Sequence, residues 1–177
     1  KVVNELHSLD KERKLKALQI LNILEKEKEV EPLLYELIKD PDKKIRATVV
    51  KALGILGSAE AIKYLIKMLS DPDIRIRANV IETFEHFKNP AIINLLLPFL
   101  QNPDNRIRGN TVKALWNLGY LEAKDALEEM INSQNELMRL SALWVISEID
   151  YPEKKVLLEQ IMQNDPSQII HKKAEEL

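Results

Sequence analysis

The sequence predicts an all-α solenoid of about five helical hairpins, and three observations predict it. Three segments align without gaps at a spacing of 31 residues: "DPDKKIRATVVKALGILG" from Asp40, "DPDIRIRANVIETFEHFK" from Asp71 and "NPDNRIRGNTVKALWNLG" from Asn102. Within a copy, Ile45, Val49, Ala52, Leu53 and Leu56 recur at steps of three and four, the apolar stripe of one helix. No β-rich alternating run, Gly-rich loop or low-complexity linker breaks the pattern.

Taken along the chain, residues 1–28 follow the repeat loosely, with the first helix displaced by about one residue, and form a degenerate N-terminal end. Hairpins are expected at about 29–57, 58–88, 89–119, 120–150 and 151–177, giving about eleven helices in a single array over 1–177. Asp40 and Pro41 read as an N-cap followed by a first-turn proline, with Asp42 near the positive helix end. Gly57 and Gly119 supply helix stops. A second helix follows in "SAEAIKYLIKMLS", where Ile62, Leu65 and Leu69 match Ile93, Leu96 and Leu100. Pro98 in "LLLPFL" removes a backbone donor and should kink its helix. A fourth copy, "SQNELMRLSALWVISEID", starts at Ser133, and a fifth, "NDPSQIIHKKAEEL", at Asn164. A lone hairpin cannot bury both of its faces, so neighbours must share a core. The start at Lys1 and the stop at Leu177 inside a helical pattern point to a piece of a longer protein.

Composition bounds the function. The chain has 177 residues, 45% hydrophobic and 31% charged, with a formal charge of -2, which speaks against a surface that coats nucleic acid or anionic membrane as a whole. No cysteine is present, so neither disulfides nor thiolate zinc sites form. No apolar run approaches the roughly 18 to 20 residues that span a bilayer, and no signal-peptide core opens the chain, which places the protein in the cytoplasm by default.

The recurring D-P-D turn, the Ile-Arg pair and the A-L-x-x-L-G close resemble the HEAT repeat, in the short bacterial form also found in phycobilisome-lyase-like proteins, over residues 29–163. The resemblance implies a right-handed α-α superhelix in which the helix after the D-P-D turn lines the concave face. It also implies a structural ladder of Asp40, Asp71 and Asn102 with Arg46, Arg77, Arg108 and Arg139. A planar guanidinium at a repeat junction suits that task, because its fork bridges a carboxylate and helix-end carbonyls. The deoxyhypusine hydroxylases that resemble this architecture carry metal-binding His-Glu pairs just after the ladder arginine. Here those positions read Ala47-Thr48, Ala78-Asn79, Gly109-Asn110 and Leu140-Ser141. His7, His86 and His171 stand apart from one another, which predicts surface or packing histidines, no metal site and no cofactor. No carboxylate pair stands out as a poised acid and base, so no catalytic residue is assigned and the protein is not expected to be an enzyme.

Positions that stay constant among copies are structural, whereas those that vary are free to bind. The variable positions beside the buried stripe read Lys44, Thr48 and Lys51; Arg75, Asn79 and Glu82; Arg106, Asn110 and Lys113; then Leu137, Ser141 and Trp144. Lys44, Arg75 and Arg106 form a basic row, and the exposed face of the other helices, with Glu60, Lys63 and Lys67, then Glu122, Asp125 and Glu129, then Glu153, leans acidic. Trp116 and Trp144 stand where other copies carry small or charged residues. Their separation of 28 is one repeat less three residues, which sets the rings about one turn apart on adjacent helices. Two readings of them stay open, interface anchors or caps on a thinning core.

The expected function is a non-catalytic scaffold binding a protein or peptide of acidic character along its concave face. The candidate residues are Lys44, Arg75, Asn79, Arg106, Asn110, Lys113, Trp116 and Trp144. The alternative is nucleic acid in the same groove, held through phosphate contacts and base stacking as in DNA-repair members of the family. A bilin lyase-like chaperone is a third reading, carried by the resemblance alone.

Overall fold

Three aspartates and one asparagine, each two residues into its repeat, set where the helices start. In the computed structural model, which describes residues 2–8, 10–24 and 30–177, the N-cap of the helix after the D-P-D or N-P-D turn is the third residue of the turn. The side chains of Asp42, Asp73, Asp104 and Asn135 accept from the backbone N–H of Lys44, Arg75, Arg106 and Leu137. This corrects the expectation that Asp40 is the cap. Asp40 and Asp71 instead accept from the backbone N–H of Asp42 and Asp73, which closes the turn and places the proline before the helix.

The chain forms two compact units, residues 1–88 and 89–177. In the first, α1 (Val2–Leu6), α2 (Lys11–Leu24), α3 (Glu31–Leu37), α4 (Lys43–Leu56), α5 (Ala59–Met68) and α6 (Ile74–Phe84) follow in order, and a 3₁₀ turn, Glu85–Phe87, ends the last. Helices α2, α4 and α6 pack side by side, and α3 and α5 pack against them. Leu18, Leu34, Val49, Leu53, Leu65, Ile81 and Phe84 make the core, each fully buried. Gly54 lets α4 and α6 approach, since a Cβ there would lie 2.5 Å from the Thr83 methyl. The Tyr35 and Tyr64 rings stack at 3.8 Å and dock α3 on α5. Burial and a hydrogen bond to Glu31 push the Tyr35 hydroxyl up to about 12.

In the second unit, α7 (Ala91–Leu96) gives way at Pro98 to a 3₁₀ turn, Leu97–Gln101, so the proline ends the α-helix where a kink was expected. Then come α8 (Asn105–Asn117), α9 (Ala123–Ile131), α10 (Glu136–Glu148), α11 (Lys154–Asn164) and α12 (Gln168–Glu175). Helix α10 packs between α8 and α12, with α9 against α8 and α10, and α11 against α12. The α8 helix ends in a Schellman motif: Gly119 has φ 88°, its N–H bonds Trp116 O at 2.9 Å, and the Tyr120 N–H bonds Leu115 O at 2.9 Å. Gly57 likewise closes α4 at φ 63°. Twelve α-helices are present among the described residues, against about eleven expected, and no strand is found among them. The expected boundary near residue 28 lies outside the described residues.

Candidate functional site

Three of the four ladder arginines reach back over the turn that starts their own helix. Arg46 Nη1 donates to the carbonyls of Asp40 and Pro41 at 2.9 and 3.1 Å, and Arg77 Nη1 to those of Asp71 and Pro72 at 2.6 and 3.3 Å. Arg139 Nη1 does the same at Ser133 and Gln134. The remaining nitrogens of Arg46 form a fork on the next repeat's carboxylate, Nε to Asp71 Oδ2 at 2.7 Å and Nη2 to Oδ1 at 3.1 Å. Asn102 accepts from the Asp104 N–H through its side chain, the turn-closing half of the aspartate's role.

Three ladder members escaped the sequence. Lys14 holds Asp40 at 2.7 Å, and it lies 32 residues before Arg46, one more than the period. Arg139 forks onto Asp165, 26 residues on, where Arg46 and Asp71 are 25 apart, so the fifth copy starts at Asp165 and not at Asn164. That shift brings His171 into the arginine position, and its Nε2 lies 2.5 Å from the Asp165 carbonyl, the contact that Arg46 and Arg77 make. His171 is thus a packing histidine that braces the turn at the start of its own helix. Burial pushes the Asp165 carboxyl up, but Arg139 and the Ser167 N–H outweigh it and hold the group below the usual carboxylate range. Arg108 differs: 25 residues on stands Ser133, so its Nη2 bonds Glu129 instead, and its buried Nε has no hydrogen-bond partner among the described residues.

The candidate binding residues divide by burial. Lys44, Arg75 and Arg106 are exposed, each the second residue of its helix, and among the described residues none forms an ion pair. In the first unit, Asn79 is half-buried and lines a groove of about 450 Å³ with Gln19, Thr48, Lys51, Glu82 and His86. In the second, Asn110 and Lys113 are buried at 6% and 7% exposure, unlike the open positions expected. Helix α10 covers the first, with its Ser141, Val145 and Trp144 side chains lying beside Gly109 on α8. The Trp144 ring explains the second, lying 5.9 Å from Lys113 Nζ. Trp116 packs on Tyr151 with ring centroids 5.5 Å apart. Both indoles are half-buried. Among the described residues, no three His, Asp or Glu side chains group as a metal site, and no helix is long and apolar enough to cross a membrane.

Comparison with curated proteins by sequence returns no match. Several solved structures share the fold. Human deoxyhypusine hydroxylase is similar at a TM-score of 0.60 and 13% identity, over 99% of this chain and 92% of that one. The complex of CpcE and CpcF of phycocyanin lyase from Nostoc sp. PCC7120 matches at 0.55 and 18%, over 99% and 84%. A designed armadillo repeat protein in complex with the peptide (KR)4 matches at 0.50 and 17%, over 98% and 95%. The family model for HEAT repeats matches residues 1–82, 63–136 and 93–177, which together span the chain, and with the repeated turn, cap and ladder this protein belongs to the HEAT-repeat family.

Proposed function

We propose that the chain is a non-catalytic scaffold that binds a protein or peptide of acidic character on the face of the helices that follow the D-P-D turns. The observation that carries this is the contrast between two cations two residues apart. Arg77 is tied to its own turn by two carbonyl bonds, whereas Arg75 is exposed and without an ion pair among the described residues. The same contrast separates Lys44 from Arg46 and Arg106 from Arg108. Cations left unneutralised at this position of the helices attract a carboxylate-bearing partner and speed its encounter.

Two of the similar folds support binding as the use of such an array, one being a complex of two proteins and the other holding a peptide. That peptide is basic and this face is cationic, so the partner's charge is expected to be opposite. The test is selection of random peptides on the full chain, followed by binding to a Lys44→Glu, Arg75→Glu, Arg106→Glu variant. Acidic peptides should enrich and lose at least about tenfold in affinity on the variant, with melting shifted by no more than about 2 °C. Enrichment of nothing, or binding that survives the triple reversal, contradicts the reading. A salt-dependent shift of labelled DNA with no peptide binding transfers the face to nucleic acid.

A further inference from the structure

We infer that the α8–α10–α12 face of the second unit takes a peptide segment in polyproline II conformation, with an acidic residue against Arg106 and aliphatic residues three and six positions away against Leu137 and Ile169. This rests on the reading of that face as the partner-binding surface. The three residues share one structural position. Each is the second residue of its helix, two after the N-cap Asp104, Asn135 or Ser167. The one-residue shift of the last repeat matters here, because at a strict 31-residue step the row would end on Gln168 and be polar.

The row changes character within this unit. In the first unit the same position carries Lys44 and Arg75, both cations. In the second it runs from a cation to Leu137 and Ile169, which are 58% and 59% exposed, among the most exposed large apolar side chains of the described residues. Two aliphatic side chains held open on packed helices, beside an unneutralised guanidinium, suit a ligand that is acidic at one end and apolar along the rest.

Spacing selects the ligand conformation. Packed helices lie roughly 8 to 10 Å apart, so equivalent residues on α8, α10 and α12 recur at about that interval. A polyproline II segment rises about 3.1 Å per residue with three residues per turn, so residues i, i+3 and i+6 share a face at about 9.3 Å intervals. A β-extended segment covers a similar distance in three residues but points residue i+3 away, since its side chains alternate. The recognition pattern is therefore acidic-x-x-aliphatic-x-x-aliphatic, in one chain direction or the other, with proline favoured at x.

Fluorescence anisotropy of labelled Glu-x-x-Leu-x-x-Leu peptides with Pro and Ser spacers, in both orders, tests this on the full chain at low salt. One order should bind, and Arg106→Glu should weaken it by about tenfold or more. A peptide with Lys in place of Glu should regain affinity on that variant, a rescue that a structural role for Arg106 does not provide. Leu137→Ser and Ile169→Ser should each weaken binding several-fold, as should removing one residue between the two leucines. Absence of binding by either order up to about 1 mM, or no recovery in the charge swap, overturns the inference. Library-selected peptides that bind and are lost on the triple reversal, yet lack the three-residue spacing, overturn it while leaving the scaffold reading in place.

Discussion

Arg46 is 12% exposed, and three of its nitrogens donate to Asp71, Asp40 and Pro41. Removing it leaves the Asp71 carboxylate, 5% exposed, without its cationic partner. Arg46→Ala should therefore cost about 3 kcal/mol in urea denaturation, most of it from the stranded charge. Ser133 offers the converse change. Ser133→Asp supplies a carboxylate 25 residues after Arg108, as Asp71 does for Arg46, and the side chain can still accept from the Asn135 N–H as Ser133 Oγ does at 3.1 Å. The variant should gain about 1 kcal/mol, because the buried Arg108 Nε acquires an acceptor. Asp165 contributes to the acid response. Its carboxyl lies below its unfolded value, so its contribution is full above about pH 4 and is lost as pH falls through the lowered folded value. Melting temperature followed from pH 6 to pH 2 should fall less steeply in Asp165→Asn than in the parent chain.

Among elements, helix existence was readable from the apolar stripe, and helix starts were not. Ile45, Ile76, Ile107 and Met138 are all buried at one register, as are Leu53, Phe84, Leu115 and Ile146, because burial repeats with the period. The D-P-D string, however, offers two aspartates that can each cap, and only the turn geometry decides that the second caps the helix while the first closes the turn. Helix ends show the same limit. Gly57 and Gly119 announce themselves, but Lys88, 31 residues from each, adopts φ 46° in the same slot with no sequence sign of it. A side chain in that left-handed conformation costs energy that glycine avoids. Lys88→Gly should raise stability by about 0.5–1 kcal/mol, and Gly119→Ala should lower it by about 1 kcal/mol, both measurable by thermal melting.

Across the whole molecule, the repeat and its family were legible because four copies repeat the same physical solution, whereas the binding residues belong to positions where the copies disagree. Periodicity predicts which side of a helix a residue occupies but not how far the neighbouring helix overhangs it. Lys113 and Asn110 have the register of exposed residues and are buried because α10 overhangs them, its Trp144 ring lying over Lys113. The last repeat's extra residue was equally hidden, since Asn164 and Asp165 both suit a turn and only the Arg139 fork identifies Asp165 as the rung. The invariant arginines brace the repeats, Arg46, Arg77 and Arg139 at their own turns and Arg46 and Arg139 also at the next repeat's carboxylate, while the cation two residues before Arg46 and before Arg77 is left for a partner. Equilibrium unfolding of Arg75→Ala beside Arg77→Ala tests this most directly. Arg77→Ala should lose about 1–2 kcal/mol through the freed carbonyls of Asp71 and Pro72, and Arg75→Ala should stay within about 0.5 kcal/mol of the parent. Equal losses in the two variants would contradict the division of labour.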